Sequence, residues 1–180
     1  MKLSIKENYP NIVTKLEEAL GTGNVNSLPR LRKVSINVGM GPHRQNKDMV
    51  KFIEDTLVKI TGQKPAVTKA KKAISGFKIR TGEAVGYKVT LRSTRMYDFL
   101  DRLFNVYLPR IREFKGLDIK HIDHGGNYTI GFRELVPFVE LGHQATERNF
   151  GMEITIVFDK SNPEKTAKLL ELLGLPLKLA

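Results

Sequence analysis

Cysteine is absent from the 180 residues, so neither a disulfide nor a thiolate-bound metal is available to the fold. No apolar run reaches the roughly 20 residues that a helix needs to cross a bilayer. Residues 1–20 interleave Lys, Glu and Asn with their apolar side chains, unlike the unbroken apolar stretch of a secretory signal. A cytoplasmic protein with no membrane partner is expected. Internal repeats, linkers and low-complexity segments are also missing. So are the Walker A loop, H-E-x-x-H and G-x-S-x-G, which removes the commonest routes to nucleotide, zinc and serine-hydrolase chemistry. No enzyme and no cofactor are expected.

What is abundant is positive charge. The chain carries a net +11, with a pI near 9.8, which suits a polyanionic partner. The charge is concentrated. Residues 64–95 hold nine Lys or Arg (64, 69, 71, 72, 78, 80, 88, 92 and 95) against one acid, Glu83. That window supplies +8 of the net charge. The expected helices near 12–20 and 163–173 carry mixed charge instead, as solvated faces do.

The hydrophobic fraction is 41%, an ordinary globular value. Ile12, Val13, Leu16 and Leu20 recur at helical spacing before Gly21. Val34, Ile36 and Val38 alternate with Lys33, Ser35 and Asn37 as in a half-buried strand. Met49, Phe52, Ile53, Leu57 and Ile60 mark a second helix, stopped by Gly62. Residues 65–69 read as a short strand. Residues 71–82 read as a glycine-containing loop, with room for a strand at 77–79. Tyr87, Val89 and Leu91 mark another strand. Ser93 or Thr94 is the expected N-cap of a third helix, which Pro109 ends or kinks. A turn-rich segment over 110–126 precedes strands at 128–132 and 154–158. Asn162, Pro163 and Gly174 frame a last helix. The pattern predicts an α+β class: an antiparallel sheet with helices packed on one face, a two-layer sandwich like that of RNA-recognition domains. Residues 1–180 are expected to form a single domain with an extended basic loop at about 70–84.

Several residues invite chemistry. Gly39 and Gly41 follow a strand and precede a helix, where backbone amides either cradle a phosphate or simply turn the chain. Ser75-Gly76-Phe77-Lys78 matches S-x-x-K, and Arg80-Thr81-Gly82 loosely mimics K-T-G. A serine acyl enzyme needs these on separate converging elements, and here they nearly touch in sequence. His121, Asp123 and His124 offer two or three ligands in an expected loop, short of a metal site. The basic loop is the stronger signal. Its ammonium and guanidinium groups neutralise phosphates and release counterions. Phe77 either stacks on a base or ribose or, the plainer reading, anchors the loop in the core. Asn37, Gln63 and Thr90 are compact hydrogen-bonding groups on or beside strand surfaces, matched to 2′-hydroxyls and base edges or to water.

Thr61-Gly62-Gln63-Lys64-Pro65, Thr68-Lys69-Ala70-Lys71-Lys72, Gly76-Phe77-Lys78-Ile79-Arg80, Gly86 and Lys88-Val89-Thr90-Leu91-Arg92 lead into this window and run through it. Outside it stand Pro29-Arg30, Asn37-Val38-Gly39, Leu108-Pro109-Arg110-Ile111-Arg112, Gly116-Leu117, Gly126-Asn127-Tyr128 and Arg133-Glu134. Taken in chain order, over nearly the whole length, the sequence resembles the bacterial large-subunit ribosomal protein L five family, which binds 5S rRNA. The resemblance implies a non-catalytic protein that seats 5S rRNA in the central protuberance. It also implies contacts with 23S rRNA, P-site tRNA, neighbouring 5S-binding proteins and the small-subunit protein S thirteen, across an intersubunit bridge.

Carried onto matching positions, it implies a 5S side made of Asn37, Gly39, Met40, Gly41, Gln63, Lys64, Thr68, Lys69, Thr90 and Arg92. The loop bearing Lys71, Lys72, Ser75, Phe77, Lys78 and Arg80 looks like the arm toward tRNA and adjacent rRNA. Arg110, Arg112 and Arg133, within 110–142, look like the bridge side. The sequence departs from the family where Phe138-Val139-Glu140 stands for Phe-Pro-Glu, with proline displaced to Pro137. Gly142-His143-Gln144 replaces an acidic-aromatic turn, and Leu175-Pro176-Leu177 replaces Phe-Pro-Phe. Two other readings make distinct predictions. A serine acyl transferase would be labelled at Ser75 by an acylating probe, and an unselective cationic RNA chaperone would bind unrelated duplexes equally.

Overall fold

The computed structural model describes residues 4–22, 24–112, 114 and 116–178. Five strands form one sheet: β1 (Arg30–Gly39), β2 (Ala66–Lys69), β3 (Ala84–Leu91), β5 (Tyr128–Phe132) and β6 (Met152–Asp159), in the order β2-β3-β1-β6-β5. The sheet is antiparallel and the class is the expected α+β two-layer fold. A parallel pair of two-residue strands, β4 (Leu117–Asp118) and β7 (Leu177–Lys178), lies outside it.

The chain gathers into two compact units. One comprises Met1–Val34, Leu91–Ile130 and Thr155–Ala180, the other Ser35–Thr90 and Gly131–Ile154.

In the first unit, helix α1 (Ile5–Leu20) packs on α3 (Ser93–Arg102) and α5 (Pro163–Leu172). It starts earlier than its apolar spacing predicts. Asp101 accepts hydrogen bonds from Ser4 Oγ and the Ile5 backbone N–H, both at 2.9 Å, and so caps the first turn from a distant point in the chain. Pro10 is tolerated inside the helix, and Gly21 closes it in a left-handed state at φ 61°. The expected cap of α3 is corrected: the capping position is Arg92, which makes no side-chain cap bond, and Ser93 opens the helix at a left-handed φ of 51°. Thr94 Oγ1 instead accepts from Lys6 Nζ at 3.2 Å. Beyond α3 the chain loosens into a π-helical turn (Leu103–Tyr107) and a 3-10 turn (Leu108–Arg110) before Ile111 becomes extended, the stop that Pro109 predicts. In α5, Asn162 caps by accepting from the Lys165 N–H at 2.8 Å.

In the second unit, α2 (Lys47–Thr61) begins at Asn46, whose side chain accepts from the Asp48 and Met49 amides, and ends at Gly62 with φ 65°. Its buried face carries Ile53, Leu57 and Ile60, each worth roughly 1.5–3 kcal/mol removed from water. Phe52 meets Phe150 edge to face at 6.2 Å, and the Arg148 guanidinium lies 5.4 Å from the Phe52 ring centre. A single helical turn, α4 (Gln144–Glu147), was not foreseeable from periodicity. Ser35, expected to face outward, is buried with Val34 and Ile36 on the central strand, which has a neighbouring strand on either side.

Candidate nucleic-acid interface

The strands and turns of the second unit bring several sequence-predicted residues together. Gln63 follows the Gly62 cap. Thr61 Oγ1 donates to the Leu57 carbonyl at 2.6 Å and accepts from the Gln63 N–H at 3.2 Å, which fixes the chain leaving α2. From there the Gln63 side-chain amide donates to the Thr90 carbonyl at 3.4 Å, so the end of α2 is tied to β3. Thr68 lies opposite Gly86 across the β2–β3 pair, and the register shifts between Thr68 and Lys69. Asn37 and Thr90 are half-buried, whereas Gly39, Gly41, Lys64, Lys69 and Lys88 are exposed.

Met40 departs from its predicted role. It is 1% exposed, and its backbone N–H donates to the Val85 carbonyl at 2.9 Å. The inward alternation of Ile36 and Val38 carries through to residue 40, so this side chain belongs to the core. Arg92 is exposed but lies in the first unit, at the start of α3.

The loop after β2 is closed at its base by Ala70 N–H to Glu83 O at 2.8 Å and by Gly82 N–H to Ala70 O at 2.9 Å. Further out, Ile74 and Ile79 form a single antiparallel bridge around a 3-10 turn at Ser75–Phe77. The strand expected at 77–79 is therefore absent, because the chain reverses within a few residues and Lys78 takes a left-handed φ of 52°. Lys71, Lys72, Ser75, Phe77, Lys78 and Arg80 are all exposed. Phe77 is 71% exposed, which overturns the core-anchor reading. Glu83, the one acid of the basic window, is committed internally. One oxygen accepts from the Arg80 N–H at 2.9 Å and the other lies 3.0 Å from Arg44 Nε. Arg44 also donates to the Phe77 and Lys78 carbonyls, both at 3.1 Å. Nothing in the sequence singles out Arg44, which lies outside the cationic window and belongs to no motif.

Arg110 and Arg112 are exposed in the first unit and Arg133 is exposed in the second. Within 110–142, Glu113 and Lys115 lie outside the described residues. In the divergent stretch, Pro137 and Phe138 turn inward, with Phe138 against Phe132 at 5.2 Å, while Val136 and Val139 are about half exposed.

The decoys hold no catalytic geometry. Ser75 and Lys78 share one tight exposed turn, joined through the Lys78 N–H and the Ser75 carbonyl. Asp123 is occupied by the Asn127 backbone N–H and side-chain amide, both at 2.8 Å. Among the described residues no group of three His, Cys, Asp or Glu is placed to hold a metal. Burial first, then the Asp118 charge, raises the Tyr128 phenol far above its ordinary value, so it stays neutral as a core residue. Burial, with Glu54 close by, likewise raises Tyr87, whose hydroxyl donates to Glu54 Oε2 at 3.2 Å.

Known proteins are similar to this sequence along nearly its whole length. Residues 24–80 match a family model described as ribosomal protein L5, and residues 84–177 match a second model, that of the same ribosomal family's C-terminus. The large ribosomal subunit protein uL5 of Desulfatibacillum aliphaticivorans is 45% identical over 172 residues, covering 96% of each chain. The protein of the same name from Dehalococcoides mccartyi strain BAV1 is 44% identical over 174 residues, covering 97% of each. That from Caldanaerobacter subterraneus is 44% identical over 173 residues, covering 96% of this chain and 97% of its own. With so full a match, the chain belongs to the ribosomal protein L5 family, as a non-enzymatic structural constituent of the large ribosomal subunit.

Proposed function

We propose that this chain binds 5S rRNA and helps attach it to the central protuberance, while its basic loop reaches P-site tRNA and adjacent 23S rRNA. The observation that carries this reading is the state of charge in the window 64–95. Its single acid is neutralised internally by Arg44, whereas Lys71, Lys72, Lys78, Arg80 and the ring of Phe77 are turned to solvent. Such a loop offers phosphates a set of unopposed cations and offers a base or ribose an aromatic face.

The 5S side consists of Asn37, Gly39, Gly41, Gln63, Lys64, Thr68, Lys69, Thr90 and Arg92. Half-buried Asn and Thr groups on a strand surface suit 2′-hydroxyls and base edges, and the exposed lysines suit the backbone. Met40 contributes by holding the Gly39–Gly41 turn from inside. Residues 1–180 act as a single RNA-binding domain. Arg110, Arg112 and Arg133 serve the bridge toward the small-subunit protein S thirteen, and neighbouring 5S-binding proteins complete the setting. As a ribosomal protein the chain works in the cytoplasm, within the large subunit.

The test is binding of the full chain to 5S rRNA over a salt series. Affinity is expected to fall with salt at a log–log slope of about −0.7 to −0.9 per neutralised phosphate. Lys71→Glu with Lys72→Glu should weaken tRNA binding to large subunits containing the variant more than it weakens 5S binding. Equal losses would mean that the surface is divided wrongly. Unrelated duplexes competing as well as 5S rRNA would make the protein an unselective RNA binder.

A further inference from the structure

One guanidinium spans the mouth of the basic loop. Arg44 sits in the turn between β1 and α2, with its side chain only 15% exposed. Its Nη2 donates to two successive carbonyls on the tip side, those of Phe77 and Lys78, each at 3.1 Å. Its Nε faces Glu83 Oε1 at 3.0 Å on the returning limb, and Glu83 Oε2 in turn takes the Arg80 N–H at 2.9 Å. The two limbs are thus laced through one side chain that belongs to neither.

The residue most affected is Lys78. It holds φ 52°, a backbone state that L residues seldom adopt. Gripping the carbonyls on either side of that residue's N–Cα–C unit favours the reversed conformation and sends Phe77 and Lys78 outward together. A planar fork suits this task, because it bonds carbonyls and a carboxylate from one rigid group. An ammonium of similar charge lacks that fixed geometry.

We propose that Arg44 is a positioning residue for RNA binding: it sets the shape of the loop before RNA arrives and does not itself contact phosphate. This rests on the reading of the loop as an RNA contact. A loop shaped in advance loses less conformational freedom on binding, so removing the brace weakens binding without removing a phosphate contact.

The experiment uses the full chain with Arg44→Met and Arg44→Lys, and Lys71→Glu/Lys72→Glu as the control. In the free protein, amide exchange at Ile74, Lys78 and Ile79 should quicken about tenfold in Arg44→Met, with the α2 core amides unchanged. In large subunits carrying the variant, P-site tRNA affinity should drop about tenfold while its salt slope stays that of the parent. Arg44→Lys should recover only part of either effect. A slope smaller by about 0.7–0.9 would make Arg44 a phosphate ligand and overturn the proposal. Unchanged loop exchange, or faster exchange throughout α2, would overturn it as well. If the control leaves tRNA binding intact, the loop is not an RNA contact and both readings fall. If the control weakens binding and Arg44→Met does not, the brace alone is wrong.

Discussion

A β-carbon placed on Gly86 would come within 2.6 Å of the Val38 carbonyl oxygen and 2.9 Å of Thr68 Oγ1. Glycine is therefore required where β3 passes its two neighbours, beneath residues assigned to the 5S surface. Gly86→Ala should destabilise the protein by about 1–3 kcal/mol through overpacking. A urea titration with a lower midpoint and an unchanged slope checks this.

Thr166 is fully buried, and its hydroxyl donates to the Gly126 carbonyl at 2.6 Å with Ser161 Oγ equally close. Thr166→Val keeps the shape and strands the carbonyl. The expected cost is about 1–3 kcal/mol, read by the same titration. A neutral result would show that water restores the missing bond.

Asp123 gives a pH dependence. Desolvation raises its pKa, but the hydrogen bonds from Asn127 and Gly125, with His124 nearby, outweigh it and hold the carboxyl below 3.8. A carboxylate whose folded pKa is lowered adds stability above its unfolded pKa and loses it as pH falls through the folded value. Asp123→Asn should therefore be less stable than the parent at neutral pH. That gap should narrow as pH drops below 3.8. Parallel thermal melts at neutral and acid pH test the sign.

Phe77 is largely exposed, so Phe77→Ala should change stability by no more than about 0.5 kcal/mol. Its effect should appear on RNA instead. Losing one stacked base contact is worth about 1–3 kcal/mol, seen as weaker tRNA binding by large subunits that carry the variant. A stability loss with unchanged RNA binding would reverse the assignment.

Helices α2 and α5 were legible because their signals are local: apolar spacing closed by Gly62 in α2, and Asn162, Pro163 and Gly174 around α5. The start of α1 was missed although Ser4 caps it locally by accepting from the Lys6 N–H, because no apolar periodicity marks its first turns and Asp101, which reinforces the cap, lies far along the chain. The same limit governs the interface. The cationic window and the Gln63, Thr68 and Thr90 set could be read from composition and family motifs. That Met40 turns inward, that Phe77 turns outward and that Arg44 braces the loop depend on contacts between distant segments. Periodicity over a few residues encodes none of these.

The order β2-β3-β1-β6-β5 also has a consequence for biosynthesis. The central strand, β1, ends at Gly39, yet one of its two partners, β6, begins only at Met152. Such long-range pairing is slow and leaves a hydrophobic strand edge open meanwhile. A nascent chain on the translating ribosome therefore closes its sheet only after the long stretch between β1 and β6 has been polymerised. Mature subunits are thus built with a component whose sheet closes long after its central strand has left the peptidyl-transfer site.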